Sequence, residues 1–302
     1  MQLTRLAEAF RSLGYPVAEG EPMSRHTSFK VGGPADMFVT VPDGKGAAAV
    51  LYRCREAGIP VFVMGNGSNL LVSDEGIEGV VLKIETTAPP ASGEAGEIVC
   101  PAGLPVKKLC LFARDQALSG LEFAFGIPGT VGGGVYMNAG AYGGQIADCL
   151  VRATLLDAAG EPRVVPASEL ALGYRSSALM EGDWTLLSAD FALVPAPPEE
   201  IRAEMERNMQ ARREKQPLEY PSCGSTFKRP PGQYAGALIE RCGLKGCTVG
   251  GAQVSEKHAG FVVNRGDATS ADVRALIAHI QRVVAEKTGV LLECEVRIID
   301  NE

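Results

Sequence analysis

The sequence predicts an α+β fold in two or three domains, on three observations. Strand-like apolar runs alternate with helix-like stretches along the chain, and short glycine- and proline-rich breaks divide them into blocks. At 302 residues and 46% apolar composition, the chain is long enough to bury more than one core.

At the N-terminus Leu3, Leu6, Phe10 and Leu13 recur at helical intervals, with Arg5, Glu8 and Arg11 between them. This spacing predicts an amphipathic helix and not an export signal. A helix over 46–56 then runs through Gly58-Ile-Pro into a strand at 61–64, a glycine-rich turn at 65–69 and a second strand over 79–84. These elements form a first block, 1–86.

Ala88-Pro-Pro-Ala-Ser-Gly reads as a linker. Beyond it come a strand at 98–101, a helix over 105–116, a long glycine run at 126–144, and β-rich stretches at 150–157 and 184–194, with a turn at 158–162 after the first of them. This is a second α+β block, 87–198. The third block, 199–294, opens on a charged helix over 198–213 whose Ile201, Met205 and Met209 share a face. A capping box, Thr269-Ser-Ala-Asp272, starts its second long helix, and Val273, Leu276, Ile277, Ile280 and Val284 supply that helix's core stripe. In the closing run 290–299, Glu293, Glu295 and Arg297 alternate with apolar or small residues, which predicts a strand with one polar face. Residues 295–302 are free to return to the first block.

A net charge of −7 argues against general affinity for nucleic acid or an anionic membrane, so any anionic ligand needs a local site. Lys83, Arg114, Asp190 and Lys287 interrupt the longest apolar runs, none of which approaches the roughly 20 residues that span a bilayer. The eight cysteines include no C-x-x-C pair and several sit in apolar runs, which fits reduced thiols in a cytoplasmic protein. Three histidines without ligand spacing predict no metal site. With no evident surface patch, a monomer is expected.

The loop Gly65-Asn66-Gly67-Ser68-Asn69 follows a buried strand, and its glycines let backbone N–H groups converge on an anion. It matches neither G-x-G-x-x-G nor the P-loop, and alone it reads more readily as a tight turn. The run 126–144 is richer in glycine than a connection requires. Because Val131, Val135 and Met137 would sit badly in solvent, it is expected to wrap closely around a large ligand. Taken singly, Arg175 reads as a surface ion pair, Ser225 as a turn residue and Glu295 as a solvated strand face. Cys223 has no neighbouring His or Asp motif to make it a nucleophile.

Together and in this order, the segments resemble the UDP-N-acetylenolpyruvoylglucosamine reductases over nearly the whole chain. The matching stretches are His26-Thr-Ser-Phe-Lys-Val-Gly-Gly-Pro-Ala, Gly65-Asn-Gly-Ser-Asn-Leu-Leu-Val, Gly126-Ile-Pro-Gly-Thr-Val-Gly-Gly, Tyr136-Met-Asn-Ala-Gly-Ala-Tyr-Gly, Gly173-Tyr-Arg-Ser-Ser, Gly224-Ser-Thr-Phe-Lys and Glu295-Val-Arg. The resemblance implies a two-domain, non-Rossmann FAD-binding scaffold of the vanillyl-alcohol-oxidase (PCMH) type, here 1–86 and 87–198, followed by an α+β substrate domain. It implies non-covalent FAD, held by Gly65, Asn66, Gly67, Ser68, Asn69, Gly126, Pro128, Gly129, Thr130, Gly133, Asn138, Ala139 and Gly140, with NADPH as hydride donor. It also implies Tyr174 and Lys215 as substrate contacts and Arg175, Ser225 and Glu295 as catalytic residues, in a reaction that yields UDP-N-acetylmuramate for peptidoglycan.

Hydride addition to an enol ether builds negative charge on the carboxylate side, which calls for preorganised cations or acidic donors. By resemblance Arg175 and Glu295 supply them, Glu295 only as a neutral acid or through a partner, since an ionised carboxylate would repel the enolate. Protonation of the neighbouring carbon falls to Ser225, with an unidentified supporting group. Arg212, Arg213 and Lys228 either substitute for Lys215 or flank it. One branch of the family carries an extra tyrosine-bearing loop after the Tyr-Arg motif. Only residues 176–183 separate Arg175 from the expected strand at Trp184, so this chain resembles the shorter branch. An oxidase on the same flavin scaffold would lack Arg175, Ser225 and Glu295 as a set, and a flavin-binding module without activity would leave the polar residues of the third block unexplained.

Overall fold

A computed structural model describes residues 2–94, 96–157 and 160–301. Ala158 and Ala159, at the head of the expected 158–162 turn, lie outside the described residues. The chain forms two compact units: a larger one of residues 1–19, 37–66 and 79–212, and a smaller one of 20–36, 67–78 and 213–302.

The larger unit holds two apolar clusters. One gathers Leu6, Ala7 and Phe10 of the helix Gln2–Ser12, Val50 and Cys54 of the helix Gly44–Glu56, and Met37, Val39, Val80 and Leu82 of a sheet. Leu13 lies past the end of the first helix and is 44% exposed, so the apolar stripe stops one residue short of its expected length. The sheet runs in the order Val17–Pro22, Pro34–Val41, Ile77–Ile84, Val61–Met64. Val61–Met64 lies parallel to Ile77–Ile84, as expected for a strand–turn–strand connection that crosses over. Asp43 starts the second helix by accepting the Gly46 N–H at 2.8 Å.

The second cluster is built on a five-stranded antiparallel sheet, in the order Pro162–Pro166, Leu150–Leu156, Thr185–Ala192, Glu97–Pro101, Ala91–Ser92. The expected linker at 88–93 therefore contributes an edge strand. The helix Val106–Asp115 packs its Leu109, Cys110 and Ala113 into this core, and the helix Pro198–Lys215 adds Ile201 and Met205.

The glycine run departs from its expected form. Val131–Tyr136 is a short helix capped by Thr130, with Val131 and Val135 buried in the core. These valines are placed by packing against protein, which removes the reason given above for assigning them to a ligand.

The smaller unit sets the helices Ala235–Arg241 and Ser270–Thr288 with a three-stranded sheet of Thr248–Val249, Ala252–Val254 and Val262–Asn264 in one apolar cluster. The expected capping box forms, Thr269 Oγ accepting from Asp272 N–H and Asp272 accepting from Thr269 N–H. The closing run is not one continuous strand. Only Arg297–Ile299 pairs, parallel to Leu70–Val72, while Cys294 makes an isolated bridge to Phe227. The backbone changes partner between these points, so Glu293, Glu295 and Arg297 are not three positions of a single ladder.

Among the described residues no helix is long and apolar enough to cross a membrane. All eight cysteines are free, six of them buried.

Candidate functional site

In the larger unit the candidate residues converge through specific contacts. The side-chain amide of Asn66 donates to the Pro128 carbonyl at 3.1 Å. A Cβ on Gly65 would stand 2.3 Å from Thr130 Oγ, so only glycine allows this approach of the two loops. Thr130 Oγ also accepts the Gly133 N–H at 3.3 Å, and the Gly129 carbonyl accepts the Val106 N–H at 3.0 Å. The two glycine segments, far apart in sequence, thus form one surface of backbone.

Asn138 is 1% exposed and its side chain is spent on protein. It donates to the Gly173 carbonyl at 2.9 Å and to Gln145 at 3.1 Å, and accepts the Ala147 N–H at 2.9 Å. Its φ of 40° is one that asparagine tolerates better than most residues. Asn138 therefore pins the turn that carries Tyr174 and Arg175. Arg175 itself sits at φ 54°, donates to the Gly140 carbonyl at 2.9 Å and lies 5.2 Å from the Tyr174 ring centre. A positive φ at a non-glycine residue costs about 1 kcal/mol or more and persists only where the surroundings enforce it. Ala139 closes the segment by donating to Gly134 and accepting from Ile146. Tyr174 is 51% exposed.

Arg212 gains importance in the structure. Its side chain packs against Gly126, where an added Cβ would meet its Cδ at 2.9 Å. Burial lowers the pKa of its guanidinium, and the Tyr142 phenol opposes that shift. Burial also raises the Tyr142 pKa. Among the described residues Arg212 makes no ion pair. The other two cations considered with it are placed differently. Lys228 pairs with Glu293 at 3.3 Å, and the Arg213 carbonyl accepts from Lys257 at 2.7 Å.

The smaller unit holds Gly67, Ser68, Asn69, Lys215, Ser225 and Glu295. Gly67 has φ 59°, and a Cβ there would stand 2.2 Å from the His26 carbonyl; its own carbonyl accepts the Ser28 N–H at 3.1 Å. The stretch beginning at His26 thus serves as the wall against which this half of the loop packs. Lys215 ends its helix and is exposed. Ser225 lies in a segment without regular structure, held by Ser28 Oγ donating to the Ser222 carbonyl at 2.7 Å and by the Cys223 thiol donating to the Leu70 carbonyl at 3.0 Å. Burial pushes the Cys223 thiol up to about 12, so it is inert at neutral pH.

Within this unit Ser225 and Glu295 are neighbours through the backbone, the Glu295 N–H donating to the Thr226 carbonyl at 2.8 Å. Asn69, expected as a cofactor contact, donates its side-chain amide to the Glu295 carbonyl at 3.0 Å. Arg175 belongs to the larger unit.

Comparison with known proteins gives the frame for these placements. A family profile described as "UDP-N-acetylenolpyruvoylglucosamine reductase, C-terminal domain" matches residues 216–299, and one described as "FAD binding domain" matches 35–165. A UDP-N-acetylenolpyruvoylglucosamine reductase of Lachnoclostridium phytofermentans is 50% identical over 283 residues, 92% of this chain and 91% of that protein. One from Listeria monocytogenes serotype 4a is 47% identical over 282 residues, covering 93% of this chain and 94% of its own length. The crystal structure of the reductase from Thermus caldophilus superposes with a TM-score of 0.79 at 36% identity, covering 94% of this chain and 98% of that one.

Proposed function

This chain belongs to the UDP-N-acetylenolpyruvoylglucosamine reductase family, as an FAD-binding oxidoreductase of peptidoglycan precursor synthesis, and from that premise we propose how its own residues carry the reaction. Residues 1–86 and 87–198 hold FAD and residues 199–294 hold the UDP-sugar. The reach of the two family profiles, 35–165 and 216–299, supports this division by ligand. The enzyme works in the cytoplasm as a monomer on two small anionic molecules, the enolpyruvyl sugar nucleotide and NADPH.

The glycine surface fits a flavin dinucleotide. Gly65 leaves no room for a Cβ beside Thr130, and the Asn66–Pro128 contact holds the two loops as one backbone face. Bound there without a covalent link, FAD supplies the hydride that it takes from NADPH and that the vinyl carbon of the enolpyruvyl ether receives. Gly126, Gly129, Gly133, Ala139 and Gly140 complete that surface in this reading, and Gly67, Ser68 and Asn69 are cofactor contacts by resemblance alone.

Arg175, held in a strained turn by Asn138 and Gly140, places its positive charge where the substrate carboxylate accumulates electron density. Glu295, as a neutral acid, donates to the same developing charge. Ser225 gives its proton to the carbon beside the one that accepted hydride. Tyr174 and Lys215 hold the sugar nucleotide, Lys215 as a cation for the diphosphate of a substrate that a net-negative protein otherwise repels.

The observation that supports this reading best is the 2.8 Å hydrogen bond from Glu295 N–H to Thr226 C=O, which joins the backbone segments that carry Ser225 and Glu295 within one unit. The test is Ser225→Ala. General-acid catalysis is worth roughly 10² to 10⁴-fold, so turnover of the enolpyruvyl sugar falls on that scale while bleaching of the flavin by NADPH is unchanged. Equal loss of both half-reactions removes Ser225 from the role.

A further inference from the structure

Ser225 and Glu295 come from segments 70 residues apart in sequence that share no regular sheet, yet proton donation and charge stabilisation tolerate little error in position. Something must set their register, and the smaller unit shows a single residue at the junction. Thr226 is 2% exposed and uses three of its polar groups on four different partners. Its N–H donates to the Gly260 carbonyl at 2.9 Å, its hydroxyl oxygen accepts the Val262 N–H at 3.0 Å, and its carbonyl accepts the Glu295 N–H at 2.8 Å and the Val296 N–H at 3.4 Å. The far side of Glu295 is held as well, because its carbonyl accepts from the Asn69 side chain, while the Asn69 carbonyl accepts the Arg297 N–H at 3.0 Å. Both carbonyl and N–H of Glu295 are therefore fixed by named partners before any ligand arrives.

We propose that Thr226 and Asn69 are positioning residues for the reduction step, clamping the Glu295 peptide against the Ser225 segment so that the proton donor and the acid meet the substrate as one rigid pair. This rests on the roles of Ser225 and Glu295 proposed above and adds to them. The side chain of Thr226 matters because it anchors the junction to the sheet strand Val262–Asn264. Without an acceptor there, the buried Val262 N–H is left unpaired, and the structure relieves that penalty by moving the segment. Asn69 gives the loop of candidate flavin contacts a second task, the placing of a catalytic carboxyl. The turn at 258–261 supports the same junction: His258 Nδ1 accepts the Gly260 N–H at 3.1 Å, which orients the carbonyl that receives Thr226.

The experiment uses the full-length, flavin-loaded enzyme and separates flavin bleaching by NADPH from flavin reoxidation by the enolpyruvyl sugar in rapid mixing. Thr226→Val keeps the shape and removes the acceptor; Thr226→Ser keeps the acceptor. Loss of one hydrogen bond that shapes the transition state corresponds to about a tenfold drop in reoxidation rate for Thr226→Val, with KM and NADPH bleaching within about twofold of wild type and recovery in Thr226→Ser. Amide hydrogen exchange at Val262 and Glu295 quickens in the valine variant and not in the serine variant. Should Thr226→Val fail to fold, Asn69→Ala decides by a slowed reoxidation rate per bound flavin together with faster amide exchange at Val296, bleaching being no criterion there because Asn69 is also a proposed flavin contact. Equal slowing of both half-reactions in Thr226→Val, a rise in KM alone, or wild-type reoxidation overturns the proposal. Ser225→Ala is measured beside them: if it reoxidises normally, the role of Ser225 itself is wrong. If Ser225→Ala is slow while Thr226→Val and Asn69→Ala behave as wild type, only the positioning role falls.

Discussion

Arg212 is the residue whose part the sequence left most open. A guanidinium half withdrawn from water, packed on Gly126 and without an ion pair among the described residues, is an uncompensated cost to the protein alone. Such a charge is retained where a ligand anion completes it. Replacing it by Met is therefore expected to raise the thermal midpoint of the flavin-free, substrate-free protein, and to raise KM for the UDP-sugar about tenfold through loss of a charge-assisted contact. Calorimetry and steady-state kinetics on the same preparation check both. Release of flavin instead of a change in KM would assign Arg212 to the cofactor, and a lower midpoint would make it structural. The sequence named Arg212 only as one of three cations near Lys215, because charge and proximity do not reveal which of them is already neutralised. Lys228 is, by Glu293. Asn138 was legible as part of a glycine motif, but not as the buried pin of the Arg175 turn, since its partners at Gly173 and Gln145 are set by folding and not by spacing.

At the scale of elements, the long helix Ser270–Thr288 shows what pattern reading does well. Its core stripe and its capping box both obey local periodicity, and both form. A third cap could not be read: Asp74, nearly two hundred positions away, accepts the N–H groups of Ser270 at 2.7 Å and Ala271 at 2.8 Å. Three side chains thus satisfy the first turn, and Asp272 has its pKa lowered, first by the backbone N–H of Thr269. Removing either carboxylate leaves helix N–H groups to water, at about 1 kcal/mol each. Asp74→Ala and Asp272→Ala should each lower the denaturant midpoint by a comparable amount, and the double variant should lose more than the sum if neighbouring caps substitute for one another. Unchanged midpoints in both would show that the helix is held by its apolar face alone. The two misread elements have separate causes. The run 290–299 alternates as a strand does, but its neighbours change from Phe227 to Leu70–Val72 along its length, and alternation carries no information on partners. The run 126–144 hides a helix because glycine obscures helical periodicity that Val131 and Val135 keep once Thr130 caps it.

For the molecule as a whole, the α+β class and the FAD-binding scaffold were legible from motif order, whereas the packing units were not: the chain moves between them at 19–20, 36–37, 66–67, 78–79 and 212–213 without a change in composition. Stability against acid is the property that joins these levels. His258 is partly withdrawn from water, with burial lowering its pKa from the ordinary value of 6.5; a hydrogen bond to its own backbone carbonyl opposes that shift, Lys245 reinforces it and Glu240 opposes it. Its Nδ1 already accepts from Gly260, an interaction that a protonated ring cannot keep. Between 6.5 and the lower folded value the unfolded chain therefore binds more protons than the folded one, so stability rises with pH across that window. The contribution is complete above 6.5 and is lost as pH falls through the folded pKa. Denaturant midpoints taken from pH 7.5 down to pH 5, a window set by the histidine value, should drop more steeply for the wild type than for His258→Asn, which has no proton to take up. The tie from Gly260 to Thr226 carries the same loss into the reaction: the flavin reoxidation rate should fall over that pH range before the protein unfolds, while bleaching by NADPH holds. Parallel pH curves for wild type and His258→Asn would place the acid-labile group elsewhere in the chain.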